Sequence, residues 1–165
     1  MFLLDTEIVT ALHGAKPGES SAGLLSWAAT TPRNSLFLSA MALFELEYAA
    51  ARAVRRSKDG GAGWQAWLND QLLPAFEGRI LPIDSAIAIR AARLGYPEIR
   101  DGLLAATAAE HNLTLATRRT SAFRTGRIKL LDPWKFDPDA EGEAADWREA
   151  TRTGPHWLKN LFVRA

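Results

Sequence analysis

Apolar residues in this chain fall into short unbroken runs separated by longer stretches with helical spacing. The runs cover residues 2–4, 36–38, 80–83, 113–117 and 128–131. They lack the in–out alternation of a half-solvated strand, and uninterrupted apolar runs of this length mark parallel strands covered on both faces. Between them, residues 8–12, 21–29, 40–54, 63–73, 85–94 and 103–111 carry a helical pattern. Asp84 stands where an N-cap belongs, ahead of Ser85, and Asn112 follows His111 as a helix stop. Strand–helix alternation predicts a three-layer α/β/α domain: a parallel central sheet of four to five strands, flanked by helices and joined by right-handed crossovers. The glycine-rich segment 58–63 reads as a mobile turn.

Composition narrows this picture. The 165 residues suit one domain with a single substantial core, and an apolar content of 47% with 24% charged residues is ordinary for a globular chain. There is no cysteine, which excludes disulfides, zinc–thiolate sites and thiol nucleophiles. The apolar opening stops at Asp5, too soon for a secretory signal, and no run approaches the ~20 residues of a membrane span. The expectation is a cytoplasmic protein with no membrane partner. From Asp137 the character changes: an acidic, loop-like stretch leads to Trp147, Trp157, Leu158, Leu161 and Phe162, interrupted by Gly154 and Pro155. This divides the chain into a domain at 1–136 and a C-terminal extension at 137–165. The extension would be an acidic loop plus short Trp-containing helices, packed on the domain or on a second subunit.

Candidate chemistry gathers where strands hand over to helices. Asp5 closes the first apolar run and Asp101 stands just before the 103–111 helix. Open α/β sheets keep their sites at this edge, and acids brought together there repel unless a cation sits among them. The pattern points to a divalent-metal site, and phosphodiester hydrolysis is chemistry that such sites do well. A net charge of +1 argues neither for nor against nucleic acid. Its distribution says more. Arg118, Arg119, Arg124, Arg127 and Lys129 crowd one segment, and Arg52, Arg55, Arg56 and Lys58 another. Either group alone is also what a solvated face looks like; beside an acidic edge, such cations could hold phosphates.

Several stretches together carry a resemblance. They are Leu3-Leu4-Asp5-Thr6; Leu38-Ser39-Ala40 running to Glu45-Leu46; and the segment from Leu73-Pro74 through Gly78-Arg79-Ile80-Leu81-Pro82 to Asp84. Asp101-Gly102-Leu103-Leu104-Ala105-Ala106-Thr107-Ala108, Leu115-Ala116-Thr117-Arg118 and Pro133-Trp134 complete the set. In this order, over residues 1–136, the chain resembles the PIN-domain ribonuclease toxins of the VapC/FitB type, from bacterial type II toxin–antitoxin pairs. The 73–84 segment is most similar to the FitB branch. The resemblance implies a PIN domain at 1–136, a homodimer, a cognate antitoxin as partner, RNA as substrate, and Mg²⁺ or Mn²⁺ as cofactor. DNA would be met only indirectly, through the antitoxin. It also implies Asp5, Glu45 and Asp101 as metal ligands: Asp5 ending the central strand, Glu45 reaching in from the helix after the second strand, and Asp101 at the start of its helix. Hard carboxylate oxygens suit either ion. Thr6, Thr117, Arg118 and Arg119 are the neighbouring candidates for orienting ligands or steadying RNA.

Two departures from the family pattern bear on activity. Arg119 and Ala122 stand where the family carries Asn or Asp and a further Asp, so the fourth acidic position is missing. Glu7 stands where the family commonly has Asn, and either supplies a further metal ligand or pairs with Arg119. Two functional readings follow: a metal-dependent endoribonuclease toxin, or a PIN-fold antitoxin-binding regulatory protein whose nuclease activity is reduced or lost. A third reading is an orphan PIN-fold protein assembled through its tail. Simpler roles are expected elsewhere. For Thr6 and Thr117 the alternative to orienting a ligand is to cap backbone; Glu47 would be solvated, and Trp64 and Trp67 would make core or dimer contacts. His13, His111 and His156 show no ligand spacing and read as surface or capping residues.

Overall fold

The computed structural model describes residues 1–14, 22–56 and 62–137. Most of the 58–63 turn, His156 and the extension from residue 138 lie outside the described residues. The elements run β1 (Phe2–Leu4), α1 (Thr6–Gly14), α2 (Ala22–Thr30), β2 (Leu36–Ser39), α3 (Ala40–Arg56), α4 (Ala62–Trp67) and α5 (Leu73–Ala75). They continue β3 (Ile80–Leu81), α6 (Ser85–Leu94), α7 (Ile99–Glu110), β4 (Thr114–Ala116) and β5 (Leu130–Leu131). All five strands are parallel and lie in the order β3-β2-β1-β4-β5, as the apolar runs predicted.

The sheet buries both faces. Leu3 pairs in register with Phe37 and Leu115, and all three side chains pack on the face covered by Leu104, Ala105, Ala108 and Phe123. One residue along, Leu4 and Ala116 turn to the other face, with Ile8, Leu12, Leu24, Trp27, Leu46 and Leu68. A side-chain period of two explains why successive apolar residues serve opposite layers. From β1 the chain moves outward through β2 to β3, then returns to place β4 on the other side of β1. That reversal makes β1 the central strand and opens a crevice beyond the C-terminal ends of β1 and β4.

Local chemistry sets the element ends. Asp84 caps α6, its Oδ1 accepting from the Ile87 N–H at 2.9 Å, and Asn112 stops the chain after α7 in a left-handed conformation at φ +49°. The 63–73 helix differs from expectation. It divides into α4, a wider π turn at Leu68–Leu72, and α5. Pro74 has no N–H and its ring collides with the carbonyl four residues back, so an unbroken α-helix cannot continue through it. Helix α7 begins earlier than the pattern suggested. Its N-cap position is Glu98, which makes no side-chain cap bond, and Asp101 falls within the first turn. Asp101 is therefore not a simple N-cap. No helix among the described residues is long and apolar enough to cross a membrane.

Candidate functional site

Each predicted acid reaches the crevice by a different route. Asp5 follows β1 directly; its N–H continues the ladder to the Ala116 carbonyl at 3.0 Å, and its side chain is fully buried. Glu45 lies on α3, which buries its Ala42, Leu46 and Ala50 positions against the sheet and leaves Glu45 at the margin of that face. Asp101, buried in the first turn of α7, comes from the opposite layer.

One guanidinium joins them. Arg100 Nη2 lies 2.5 Å from Asp5 Oδ1, Nη1 lies 3.2 Å from Asp101 Oδ1, and Nε is in ion-pair contact with Glu45 Oε1. The Nε–H is not aligned on that oxygen, so Nε is buried without a hydrogen bond although the charges touch. Arg119 adds a second cation. Its Nη2 and Nη1 grip Asp101 Oδ1 and Oδ2 at 2.6 and 3.1 Å, Nη2 stands 3.7 Å from Asp5 Oδ2, and the guanidinium lies over the Phe123 ring.

Hydroxyls orient the other sides of the carboxylates. Thr6 donates to Glu45 Oε2. Thr117, just past β4, places its hydroxyl 2.8 Å from Asp5 Oδ2 and 2.9 Å from Glu7 Oε1, and accepts the Arg119 N–H at 3.1 Å. A hydroxyl has one proton to give. Two carboxylates at this range share it, or one of the two carries a proton of its own. Burial raises the Asp5 pKa above its ordinary 3.8, and nearby Glu7 adds to the rise; Arg100, the Thr117 hydroxyl and Arg119 pull against it. The Arg119 guanidinium is held charged chiefly by its hydrogen bonds to Asp101.

These contacts revise several expectations. Of the two roles open to Thr6 and Thr117, orienting a carboxylate or capping backbone, both hydroxyls take the first, because their short β-branched side chains stand at the crevice itself. Arg119 pairs with Asp101 rather than with Glu7. The Glu7 carboxylate is held by neutral donors, the Thr117 hydroxyl and the Arg118 N–H at 2.6 Å. Ala122, in the short 3-10 segment at Thr120–Gly126, is exposed. The Arg118 side chain is exposed with its guanidinium over the Trp134 ring, and Arg124, Arg127 and Lys129 are exposed as well. Glu47 is not simply solvated: its carboxylate accepts from Gln65 Nε2 at 2.9 Å. His13 packs between Trp64 and Trp67, and His111 closes the C-terminus of α7. Trp67 is a core residue and Trp64 packs against that core. Arg100 itself was passed over. The available signal was a cation next to Asp101 at the same edge.

The donor set suits a divalent ion in kind and in charge, being carboxylate oxygens drawn together at a buried edge. The room that ion would need is the room Arg100 fills. Among the described residues, no group of three acids or histidines closes on a common point in this conformation.

Comparison with known proteins gives a consistent result. The family model described as PIN domain matches residues 2–128. "Toxin FitB" of Neisseria gonorrhoeae (strain ATCC 700825 / FA 1090) is 31% identical over 142 residues, covering 81% of this chain and 99% of that protein. "VapC ribonuclease Y4jK" of Sinorhizobium fredii (strain NBRC 101917 / NGR234) is 32% identical over 145 residues, covering 82% and 99%. Among solved structures, "Crystal Structure of FitAcB from Neisseria gonorrhoeae" superposes with a TM-score of 0.73 at 30% identity, over 82% of this chain and all of that one. "Structure of FitAB bound to IR36 DNA fragment" also gives 0.73, at 28% identity, over 83% and 98%.

Proposed function

Since this chain belongs to the PIN-domain family, we propose that it is a divalent-metal-dependent endoribonuclease, the toxin of a type II toxin–antitoxin pair. The observation that carries the reading is the meeting of Asp5, Glu45 and Asp101, from three distant segments, around one guanidinium. These three carboxylates would hold Mg²⁺ or Mn²⁺, with Glu7 as a further candidate because it shares the Thr117 hydroxyl with Asp5. A bound ion of this kind supplies Lewis acidity at a phosphoryl oxygen and lowers the pKa of water.

The chain's own residues do the rest. Thr117 and Thr6 fix the rotamers of Asp5 and Glu45, so each presents a defined oxygen to the crevice. Burial of Asp5 excludes water from one side. Arg118 lies outside the acid cluster and is free to meet an RNA phosphate without competing for the ion.

A cognate antitoxin as partner, contact with DNA only through it, a homodimer and a cytoplasmic location complete the proposal. The toxin and ribonuclease roles draw on the names of the two relatives, and the link to DNA on the structure of FitAB bound to a DNA fragment. The test is cleavage of single-stranded RNA by purified protein. Cleavage should require added Mg²⁺ or Mn²⁺, stop with EDTA and fall about a hundredfold or more in Asp5→Asn; cleavage at an undiminished rate in EDTA or in the variant would refute the assignment.

The second reading also has an observation behind it. Arg119 holds both oxygens of Asp101, which suits a chain that keeps its antitoxin and regulatory roles while its nuclease weakens. Antitoxin binding with no cleavage under either metal would favour it. The extension at 137–165 is proposed as an assembly element, and an unchanged mass by light scattering after its removal would count against that.

A further inference from the structure

We propose that Arg100 is the site's own counter-cation, and that it and a divalent ion are alternative occupants of Asp5, Glu45 and Asp101. The inference rests on the metal-site reading above and adds to it a residue that exchanges with the ion.

Charge is the first argument. Asp5, Glu7, Glu45 and Asp101 together with the two guanidiniums leave a net negative edge when all are ionised, which attracts a divalent ion. At the point where Asp5, Glu45 and Asp101 meet, that ion would be pressed against the Arg100 guanidinium, like charge on like. The two cannot hold the same carboxylate oxygens at once. Geometry identifies which guanidinium leaves. Arg119 makes a parallel two-pronged pair with Asp101 and lies over Phe123, an arrangement that holds a planar guanidinium firmly. Arg100 spreads single contacts over three acids, and its buried Nε makes no hydrogen bond.

A route out also exists. The Arg100 side chain is 26% exposed and sits at the second position of α7, so an unbranched stem can carry the guanidinium into solvent without disturbing the core. Once outside, the same cation stands beside the crevice, where a phosphate would approach. Arg100 is thus a positioning residue. It holds three mutually repelling acids in register and yields them to the metal.

An internal competitor lowers apparent affinity by the fraction of molecules in which it is out of the way. Removing it should tighten binding by that factor, about tenfold or more if Arg100 is inside in at least nine molecules of ten. The experiment is Mn²⁺ titration calorimetry on the full chain, on Arg100→Met and on Asp5→Asn, with thermal melts of each in the presence and absence of MnCl₂. Arg100→Met should bind Mn²⁺ about tenfold more tightly, melt lower than wild type without metal, and recover on adding it. If that variant does not fold without metal, Arg100→Gln keeps polar reach without charge and is measured instead. Unchanged Mn²⁺ affinity in the Arg100 variants, with binding still lost in Asp5→Asn, overturns the exchange and leaves the metal site standing. No Asp5-dependent Mn²⁺ binding in wild type or in either Arg100 variant overturns the metal reading and this inference together.

Discussion

Asp5 and Asp101 are both buried at the same sheet edge and both meet Arg100, yet the rest of their partners differ. On the β1–β4 side, neutral donors share the work: the Thr117 hydroxyl serves Asp5 and Glu7, and the Arg118 N–H serves Glu7. On the α7 side, Asp101 is held by guanidiniums, two-pronged from Arg119 and single from Arg100. Neutral donors aim a carboxylate while leaving its charge available. Guanidiniums aim it and cancel it. The β1–β4 flank holds its acids partly by neutral donors, whereas the α7 flank holds Asp101 by cations.

Asp5→Asn breaks the comparison at its strongest point. It should lower metal-dependent cleavage on the order of a hundredfold or more, as loss of charge stabilisation at a reacting centre does, and abolish Mn²⁺ binding by calorimetry. The same change should raise the melting temperature of the metal-free chain at neutral pH. The sign follows from burial. The folded pKa of Asp5 lies above its unfolded 3.8, so Asp5 favours the fold below pH 3.8, and that contribution is lost as pH rises through the folded value. Near neutrality its charge is a net burden that asparagine lacks. Melts across a pH series that show no gain for the variant would mean its partners outweigh its burial.

Thr117→Val keeps shape and removes the shared hydroxyl. Mn²⁺ affinity should fall about tenfold, the scale for losing a group that orients a ligand; an unchanged titration would mean the neutral flank is incidental. Arg119→Asp turns the cationic flank acidic and should tighten Mn²⁺ several-fold by removing a competing charge near Asp101. Gly23→Ala supplies the smallest effect at the site. A Cβ there would stand 2.5 Å from the Trp134 carbonyl oxygen and 2.9 Å from that of Phe136, so the fold should lose about 1–3 kcal/mol in chemical denaturation. Metal affinity of the folded protein should not move. If it does, the two flanks are coupled to the packing of α2.

Much of this was legible in the chain. Uninterrupted apolar runs announced a sheet covered on both faces, and all five appear as strands, trimmed where Pro82 denies the ladder a donor and where residues 128–129 precede the paired part of β5. The convergence of Asp5, Glu45 and Asp101 was also anticipated. What escaped was the partnering. Whether Thr117 caps a backbone or bonds Asp5, and whether Arg119 finds Glu7 or Asp101, depends on where side chains from β1, β4 and α7 cross in space, and spacing within one segment carries none of that. Arg100 escaped for a related reason. A cation next to an acid in a helical first turn looks like an ordinary surface pair until the other two acids arrive from elsewhere. The break at Leu68–Leu72 could have been read from Pro74.

The place of β1 in the sheet has one more consequence. Backbone amides locked between neighbouring strands on both sides surrender their hydrogens to deuterium last, whereas helix ends open more often. Asp5 continues such a strand, while Arg100 and Asp101 ride on the opening turn of a helix. The crevice therefore works as a vice with one jaw fixed to the frame, and any adjustment to what it grips must come from the other side.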